Sequence, residues 1–317
     1  MSKLLGLFPG QGSQTVGMGK DFFEQNEEAR SLFQAADKAL GFSLSKLCFE
    51  GPAEELTLTK NAQPAILLNS IVAFRALAPN LSVAAGHSLG EYSALVAAGS
   101  LGLEDALQLV HKRGSYMQEA VPAGKGAMAA IMGPSEEEIN EVLSGIDKGV
   151  CEIANLNCPG QTVVAGDLEG VEIFSKQIAE KGAKVIPLNV SAPFHCSLMK
   201  PAAEKLAKDL DSIEIKDASF PIYANFNAVS VTEASQIRQN LKDQVCGSVR
   251  WTESIVNLVE NEQPSQAIEF GAGGVLSKLL KKIDKTVPRL DVSNPEAVAN
   301  VSAVSYTHLT LPTICSV

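Results

Sequence analysis

The sequence predicts an α/β protein: a mostly parallel, doubly wound sheet interrupted by a small second unit. Three observations predict it. Short apolar runs alternate with helical spacing from Lys3 to Gln118. The stretch from Ala127 to Leu188 reads β-α-β-β-α-β, the order of a ferredoxin-like unit. Strand–helix alternation then resumes at Pro221, so the small unit reads as an insertion. The expected division is a discontinuous large α/β domain of residues 1–123 and 192–300, with a small subdomain of 124–191.

Lys3 to Phe8 is an apolar run that stops at Pro9-Gly10-Gln11-Gly12, a strand followed by a turn. Asp21 to Leu40 has helical spacing. Gln63-Pro64 opens a further helix, Ala65 to Leu77, with proline in the first turn where its missing N–H is harmless. Leu81 to Ala85 is a short buried strand running into Gly86-His87-Ser88-Leu89-Gly90. Helical stretches follow over Glu91–Ala98 and Glu104–Gln118. In the insert, Ala127–Met132, Val150–Ala154, Thr162–Ala165 and Lys184–Leu188 read as strands. Ser135-Glu-Glu-Glu138 is a capping box opening a helix to Leu143, and Glu169–Lys181 is the second helix. Pro221–Ala224 and Ala267–Phe270 return as strands, and Val275–Ile283 as a helix. The end of the chain, residues 305–317, follows no pattern used elsewhere and receives no functional weight.

The chain has 317 residues, and its 45% hydrophobic content supports a sizeable core. A net charge of −10 argues against a nucleic-acid binder and against adhesion to an anionic membrane. No apolar stretch is long enough to span a bilayer, and the N-terminal run is too short for a signal peptide, so a cytoplasmic protein is expected. The six cysteines form no C-x-x-C pair and read as reduced thiols. No metal and no cofactor are expected. Phosphate-loop readings fail, because Thr15 stands where G-x-G-x-x-G needs glycine and Gly271–Leu276 lacks a Gly-Lys ending.

Gly86-His87-Ser88-Leu89-Gly90 fits G-x-S-x-G between a strand and a helix, the context of a nucleophile elbow. The sharp turn exposes the Ser88 hydroxyl, and a side chain at either flanking glycine would meet the adjoining backbone. The helix that starts at Leu89 points free N–H groups at charge developing beside Ser88. Without chemistry the pentapeptide would be a plain Gly-Ser-Gly turn. A serine nucleophile needs a base, and four histidines are available. His87 neighbours the serine and points away from it. His111 lies mid-helix near Arg113, and His308 lies in the atypical tail. His195 follows a strand in the proline-constrained loop Ala192-Pro-Phe-His195, where site residues are commonly carried. No Asp or Glu is marked out as a third triad member. A backbone or amide carbonyl could orient the imidazole, giving a Ser-His dyad.

Together these residues resemble the malonyl-CoA:acyl carrier protein transacylase family of fatty-acid synthesis. The resemblance rests on Phe8-Pro-Gly-Gln-Gly-Ser-Gln14, Gly86-His-Ser-Leu-Gly-Glu-Tyr92, Lys112-Arg113-Gly114, Asn157-Cys-Pro-Gly-Gln161, Ala192-Pro-Phe-His195, and Gln244 through Val249-Arg-Trp251. It covers the chain from Met1 to about Leu290. It implies an α/β-hydrolase-like core with a ferredoxin-like insert. It also implies Ser88 as nucleophile and His195 as base, with Gln11 and Leu89 giving backbone N–H groups to an oxyanion hole. Arg113 would hold the malonyl carboxylate, and the Gln244 main-chain carbonyl would accept the second imidazole N–H. The partners so implied are malonyl-CoA and a phosphopantetheinylated acyl carrier protein; charge and hydropathy already speak against nucleic acid and membrane, and the sequence leaves a monomer and higher states open. Gly271-Ala-Gly-Gly274 stands where the family often has Gly-Pro-Gly, and Cys196 where serine is common. Phe194 suggests a pocket sized for malonyl.

The implied activity is ping-pong acyl transfer through a malonyl-serine intermediate. A planar guanidinium suits it, because it grips a carboxylate through two hydrogen bonds. A serine thioesterase or other hydrolase would use the same dyad and is the alternative. Carrier proteins of this pathway are acidic, so docking calls for local basic surface. The candidates are Lys278, Lys281, Lys282, Lys285 and Arg289, with Lys200, Lys205 and Lys208 after the His195 loop. A solvated helix face is the plainer reading of any one of them.

Overall fold

The computed structural model describes residues 3–122, 124–190 and 192–301. Residues 305–317, with His308 and Cys315, lie outside the described residues. Leu4-Leu5-Gly6-Leu7-Phe8 carries no polar side chain, and such runs suit strands covered on both faces. It forms β1 (Leu4–Phe8) at the middle of the larger sheet. The next helices are α1 (Lys20–Gln25), α2 (Glu27–Leu40), α3 (Leu44–Glu50), α4 (Ala53–Thr57) and α5 (Thr59–Leu77). Then come β2 (Val83–Gly86), α6 (Leu89–Ala97) and α7 (Leu103–Glu119).

The chain next builds the smaller unit: β3 (Gly126–Met132), α8 (Glu136–Ser144), β4 (Cys151–Cys158), β5 (Gln161–Asp167), α9 (Leu168–Glu180) and β6 (Lys184–Pro187). A 3₁₀ turn at Ser197–Met199 leads into α10 (Lys200–Ser212), β7 (Ile222–Tyr223), β8 (Ser230–Val231), α11 (Ala234–Gln244) and α12 (Trp251–Glu262). The chain then gives β9 (Gln266–Phe270), α13 (Val275–Ile283) and β10 (Arg289–Val292).

The larger sheet has the order β10-β9-β1-β2-β7-β8, parallel except for β8. Its side chains alternate between two apolar layers. Leu5, Leu7, Val83 and Ala85 face Trp251, Ile255, Leu276 and Leu280. Phe8 and Ala84 face the opposite layer with Leu67, Leu68, Tyr92 and Leu107. This two-sided cover is the doubly wound arrangement the sequence predicts. The smaller sheet, β4-β5-β3-β6, is antiparallel throughout. One face packs on α8 and α9 through Ile131, Ile139, Phe174 and Ile178. The other brings Met128, Ala130 and Val163 into the main core. Backbone bonds from Leu156 N–H to Val249 O and from Val249 N–H to Ala154 O tie the smaller sheet to the segment between α11 and α12.

Two expected helices are drawn differently. Asp21–Leu40 is two helices, because Asn26 turns extended and its side chain caps α2 at the Ala29 N–H. The helix expected from Ala65 begins six residues earlier, at Thr59, so Pro64 lies inside it. A proline there leaves the carbonyl of Lys60 without its helical donor. The His111 ring nitrogen Nδ1 meets that carbonyl at 2.7 Å, which offsets the loss and gives His111 a structural job. The capping box at Ser135 forms, with Ser135 and Glu138 bonding reciprocally. Helices α3, α4, α10, α11 and α12, and strands β8 and β10, are additions to the expected set.

Candidate active site

Loops at the carboxyl ends of β1, β2 and β7 converge, as they do in open parallel sheets. The glycines of the elbow make this approach close. A Cβ on Gly90 would lie 1.9 Å from the Phe8 carbonyl oxygen, and one on Gly86 2.0 Å from the Gly90 carbonyl. A Cβ on Gly10 would lie 2.4 Å from the His87 carbonyl oxygen, so the Gln11 loop is pressed against the elbow. Ser88 takes φ 50° and ψ −105° at the N-cap of α6, a conformation that favours glycine. Its N–H donates to Asn225 Oδ1 at 2.6 Å, and Asn225 Nδ2 donates back to the Gly86 carbonyl at 2.7 Å. Leu89 is the first helical residue, so its N–H has no acceptor within α6.

His195 arrives from the loop that returns the chain from the smaller sheet, also with a left-handed φ of 61°. Its Nε2 lies 2.7 Å from Ser88 Oγ, and its Nδ1 lies 2.9 Å from the Gln244 carbonyl oxygen. A carbonyl accepts only, so Nδ1 carries the hydrogen and Nε2 presents its lone pair to the serine. Burial, and then the nearby charge of Arg113, push His195 down to about 3. The imidazole is therefore neutral, with its Nε2 lone pair turned to the serine hydroxyl. His87 points away: Nε2 pairs with Asn157 Oδ1 at 2.8 Å, and the ring rests on Trp251. Cys196 is buried and donates to the Pro193 carbonyl, and burial pushes its thiol up to about 12, which makes it inert.

Arg113 is 1% exposed on α7. Gly114 lets it approach α5, since a Cβ there would lie 2.6 Å from the Thr59 carbonyl oxygen. Its Nη1 donates to Gln63 Oε1 at 2.9 Å, and its Nη2 to Gln244 Oε1 at 2.9 Å and Ser88 Oγ at 3.2 Å. The Tyr92 ring lies beneath the guanidinium at 5.4 Å. None of the salt bridges among the described residues includes Arg113. A buried cation held by neutral oxygens is an anion site in waiting, because it gains a strong partner when a carboxylate enters. A cavity of about 310 Å³ joins these groups, lined by Gln11, Ser88, Leu89, Arg113, Phe194 and His195 among others. All six residues singled out from the sequence thus meet in one place. Five line the cavity, and Gln244 stands behind His195 and Arg113.

The acyl transferase domain family matches residues 7–296. The chain belongs to this family. It is 50% identical over 304 residues to the malonyl CoA-acyl carrier protein transacylase of Bacillus subtilis, an alignment spanning 94% of this chain and 96% of that one. To the enzyme of the same name from Haemophilus influenzae it is 43% identical, over 96% of this chain and 98% of the other. The Coxiella burnetii transacylase structure superposes with a TM-score of 0.91 at 40% identity, covering 95% of this chain and 96% of that chain. A malonyl-transacylase solved in complex with a holo type II PKS acyl-carrier protein gives a TM-score of 0.92 at 39% identity, covering 96% and 100%.

Three further residues of the candidate site carry little signal in the sequence. Gln63 holds one arm of Arg113, Asn225 holds the Ser88 backbone, and Glu91 holds Gln244 and Asn225. In the sequence Gln63 reads only as the residue before a helix-opening proline. Glu91 stands in the elbow motif but carries no signal that its side chain turns inward. Asn225 follows the short strand β7, where a polar residue at a strand end was the one available hint.

Proposed function

We propose that this acyltransferase moves the malonyl group from malonyl-CoA to the phosphopantetheine thiol of acyl carrier protein through malonyl-Ser88. One observation carries the reading: Ser88 Oγ lies 2.7 Å from a neutral imidazole nitrogen and 3.2 Å from a buried guanidinium that forms no salt bridge among the described residues. The first pair makes a nucleophile. The second selects an acyl group that ends in a carboxylate.

In the first half-reaction His195 Nε2 takes the Ser88 proton as Oγ bonds to the thioester carbonyl carbon. The negative charge passes to the carbonyl oxygen, where the backbone N–H groups of Leu89 and Gln11 would receive it. Losing one such donor typically costs about 3–4 kcal/mol of transition-state stabilisation. The carbon–sulfur bond breaks, and His195 returns its proton to the departing CoA sulfur. In the second half the carrier thiol gives its proton to His195 and its sulfur attacks the malonyl ester. Oγ then leaves with the proton. The Gln244 carbonyl keeps the imidazole in one tautomer throughout, the task a carboxylate performs in a Ser-His-Asp triad.

The carboxylate clamp sets the specificity. An acyl group without the carboxylate leaves a buried charge unsatisfied, which disfavours it. Hydrolysis by the same dyad is not favoured, since relatives spanning almost the whole chain are named transacylases. Residues 1–123 and 192–300 serve as the catalytic domain, and 124–191 as a subdomain that walls the cavity. A cytoplasmic setting is supported by free thiols at Cys48, Cys151, Cys158, Cys196 and Cys246. Among the described residues no helix is long and apolar enough to cross a membrane. For carrier docking, Lys278, Lys281, Lys282 and Lys285 are exposed and absent from the salt bridges among the described residues, whereas Lys205 is paired with Glu119.

The test is intact-mass analysis after mixing with malonyl-CoA and then with holo carrier protein. The expected result is one malonyl adduct on Ser88 that carrier protein discharges. Loss of malonyl to water with no carrier required would make the protein a hydrolase.

A further inference from the structure

Glu91 is 2% exposed on the inner face of α6. Its Oε2 accepts from Gln244 Nε2 at 2.9 Å and from the Asn225 N–H at 3.0 Å. Both partners lead to functional groups. The same Gln244 Nε2 also donates to the Ser88 carbonyl at 3.0 Å, while Gln244 Oε1 accepts from Arg113 and the Gln244 main-chain carbonyl accepts from His195. Asn225 holds the Ser88 N–H. Nucleophile, base and clamp therefore each lie within two residues' contact of a single carboxyl group.

The orientation of the Gln244 amide is the critical choice. A side-chain amide has one accepting end and one donating end. Turned one way, its oxygen steadies the guanidinium. Turned the other way, it sets N–H donors against N–H donors. An acceptor behind the amide nitrogen decides between these, and Glu91 is that acceptor. Burial holds the Glu91 carboxyl up at about 7, with bonds from Asn225 and Gln244 and the charge of Arg113 working against the rise. A group so costly to bury is retained where its bonds are needed.

We propose that Glu91 is a positioning residue that couples the base to the carboxylate clamp: it fixes the Gln244 amide, and through it the places of His195 and Arg113 together. This rests on the transacylase reading of the site. The coupling predicts that rate and acyl selectivity fall together when Glu91 is changed, although Glu91 lines no part of the cavity.

The experiment compares single-turnover acylation of Ser88 by malonyl-CoA and by acetyl-CoA in four variants: Glu91→Met, Glu91→Gln, Gln244→Met and the Glu91→Met/Gln244→Met double. Gln244→Met keeps the main-chain carbonyl and removes only the amide. Glu91→Met should lower malonyl transfer about tenfold or more and reduce the malonyl-over-acetyl preference by a similar factor. Glu91→Gln, which retains an acceptor oxygen, should recover most of both. The double variant should be no worse than the poorer single variant, because both changes break one chain of contacts. Folded Glu91→Met with unchanged rate and preference, or losses that multiply in the double variant, would overturn the proposal. Should Glu91→Met fail to fold, full malonyl preference in Gln244→Met overturns it equally. Absence of a malonyl adduct on the unmodified protein would instead strike the transacylase reading itself.

Discussion

The elbow that carries Ser88 and the loop that carries His195 present the same backbone feature by different means. Both residues hold a left-handed φ, 50° and 61°. At the elbow the conformation is enforced by backbone pressed on backbone, with Gly86 and Gly90 leaving no room for a single added carbon. At the loop, His195 is aligned by one bond to the Gln244 carbonyl, while the Cys196 thiol and the Glu152 carboxylate tie the turn beside it. Ser88 is therefore fixed by the packing of the parallel sheet, and His195 by hydrogen bonds reaching across from α11. Damage to the first should unfold the site. Damage to the second should misalign it and leave the fold intact.

Substitutions can sharpen that contrast. The largest effect on chemistry is expected from Ser88→Ala, which should leave no acyl adduct in intact-mass analysis and reduce transfer by about 10⁴-fold or more while the protein still folds. The largest effect on the fold is expected from Gly90→Ala. Its Cβ would meet the Phe8 carbonyl oxygen at 1.9 Å, and urea unfolding should show a loss above about 4 kcal/mol or no folded protein at all. A folded and active Gly90→Ala would break the comparison. Arg113→Ala should cut malonyl use by about 10²-fold or more relative to acetyl use, as unpaired buried polar groups do in other specificity pockets. Equal losses for both substrates would remove Arg113 from the carboxylate site.

A smaller effect comes from pH. Burial lowers His195 to about 3 from 6.5, so between those values the unfolded chain holds a proton that the folded chain does not, and stability falls as pH drops through that window. Burial raises Glu91 from 4.5 to about 7, so its contribution runs the other way and falls as pH rises from 4.5 toward 7. Glu91→Gln should therefore gain stability relative to the unmodified chain on going from about pH 4.5 to about pH 7, read from urea midpoints. A constant difference across that range would mean that Glu91 is not held in its neutral form. The smallest effect is expected from the joint change Lys281→Glu and Lys282→Glu, which should slow discharge to carrier protein and leave acylation by malonyl-CoA unchanged.

The contrast between elbow and loop also accounts for what was readable beforehand. The elbow is local: strand, tight turn and helix follow one another, so Gly86 to Gly90 announce their geometry in five adjacent letters. Val275–Ile283 was readable to its ends because its apolar spacing is regular. The break at Asn26 was not, because the periodicity on either side continues across it. Pro64 misled for a different reason: the rescue of its orphaned carbonyl comes from His111 on another helix. The same non-locality hid Gln63, Glu91 and Asn225. Each acts through a hydrogen-bonded partner at least 50 positions away, the closest in sequence being the Gln63–Arg113 pair, and no spacing rule joins them. The pairing of His195 with Ser88, 107 residues apart, came from elimination among four histidines and from resemblance to a known family.

We propose that one pocket activates Ser88 and grips the far carboxylate of the acyl group. The most direct test is a competition: equal amounts of malonyl-CoA and acetyl-CoA in a single turnover, followed by peptide mass analysis of the acylated residue. Malonyl should appear on Ser88 in large excess over acetyl. Equal occupancy of Ser88 by the two acyl groups, or an adduct on another residue, would contradict it.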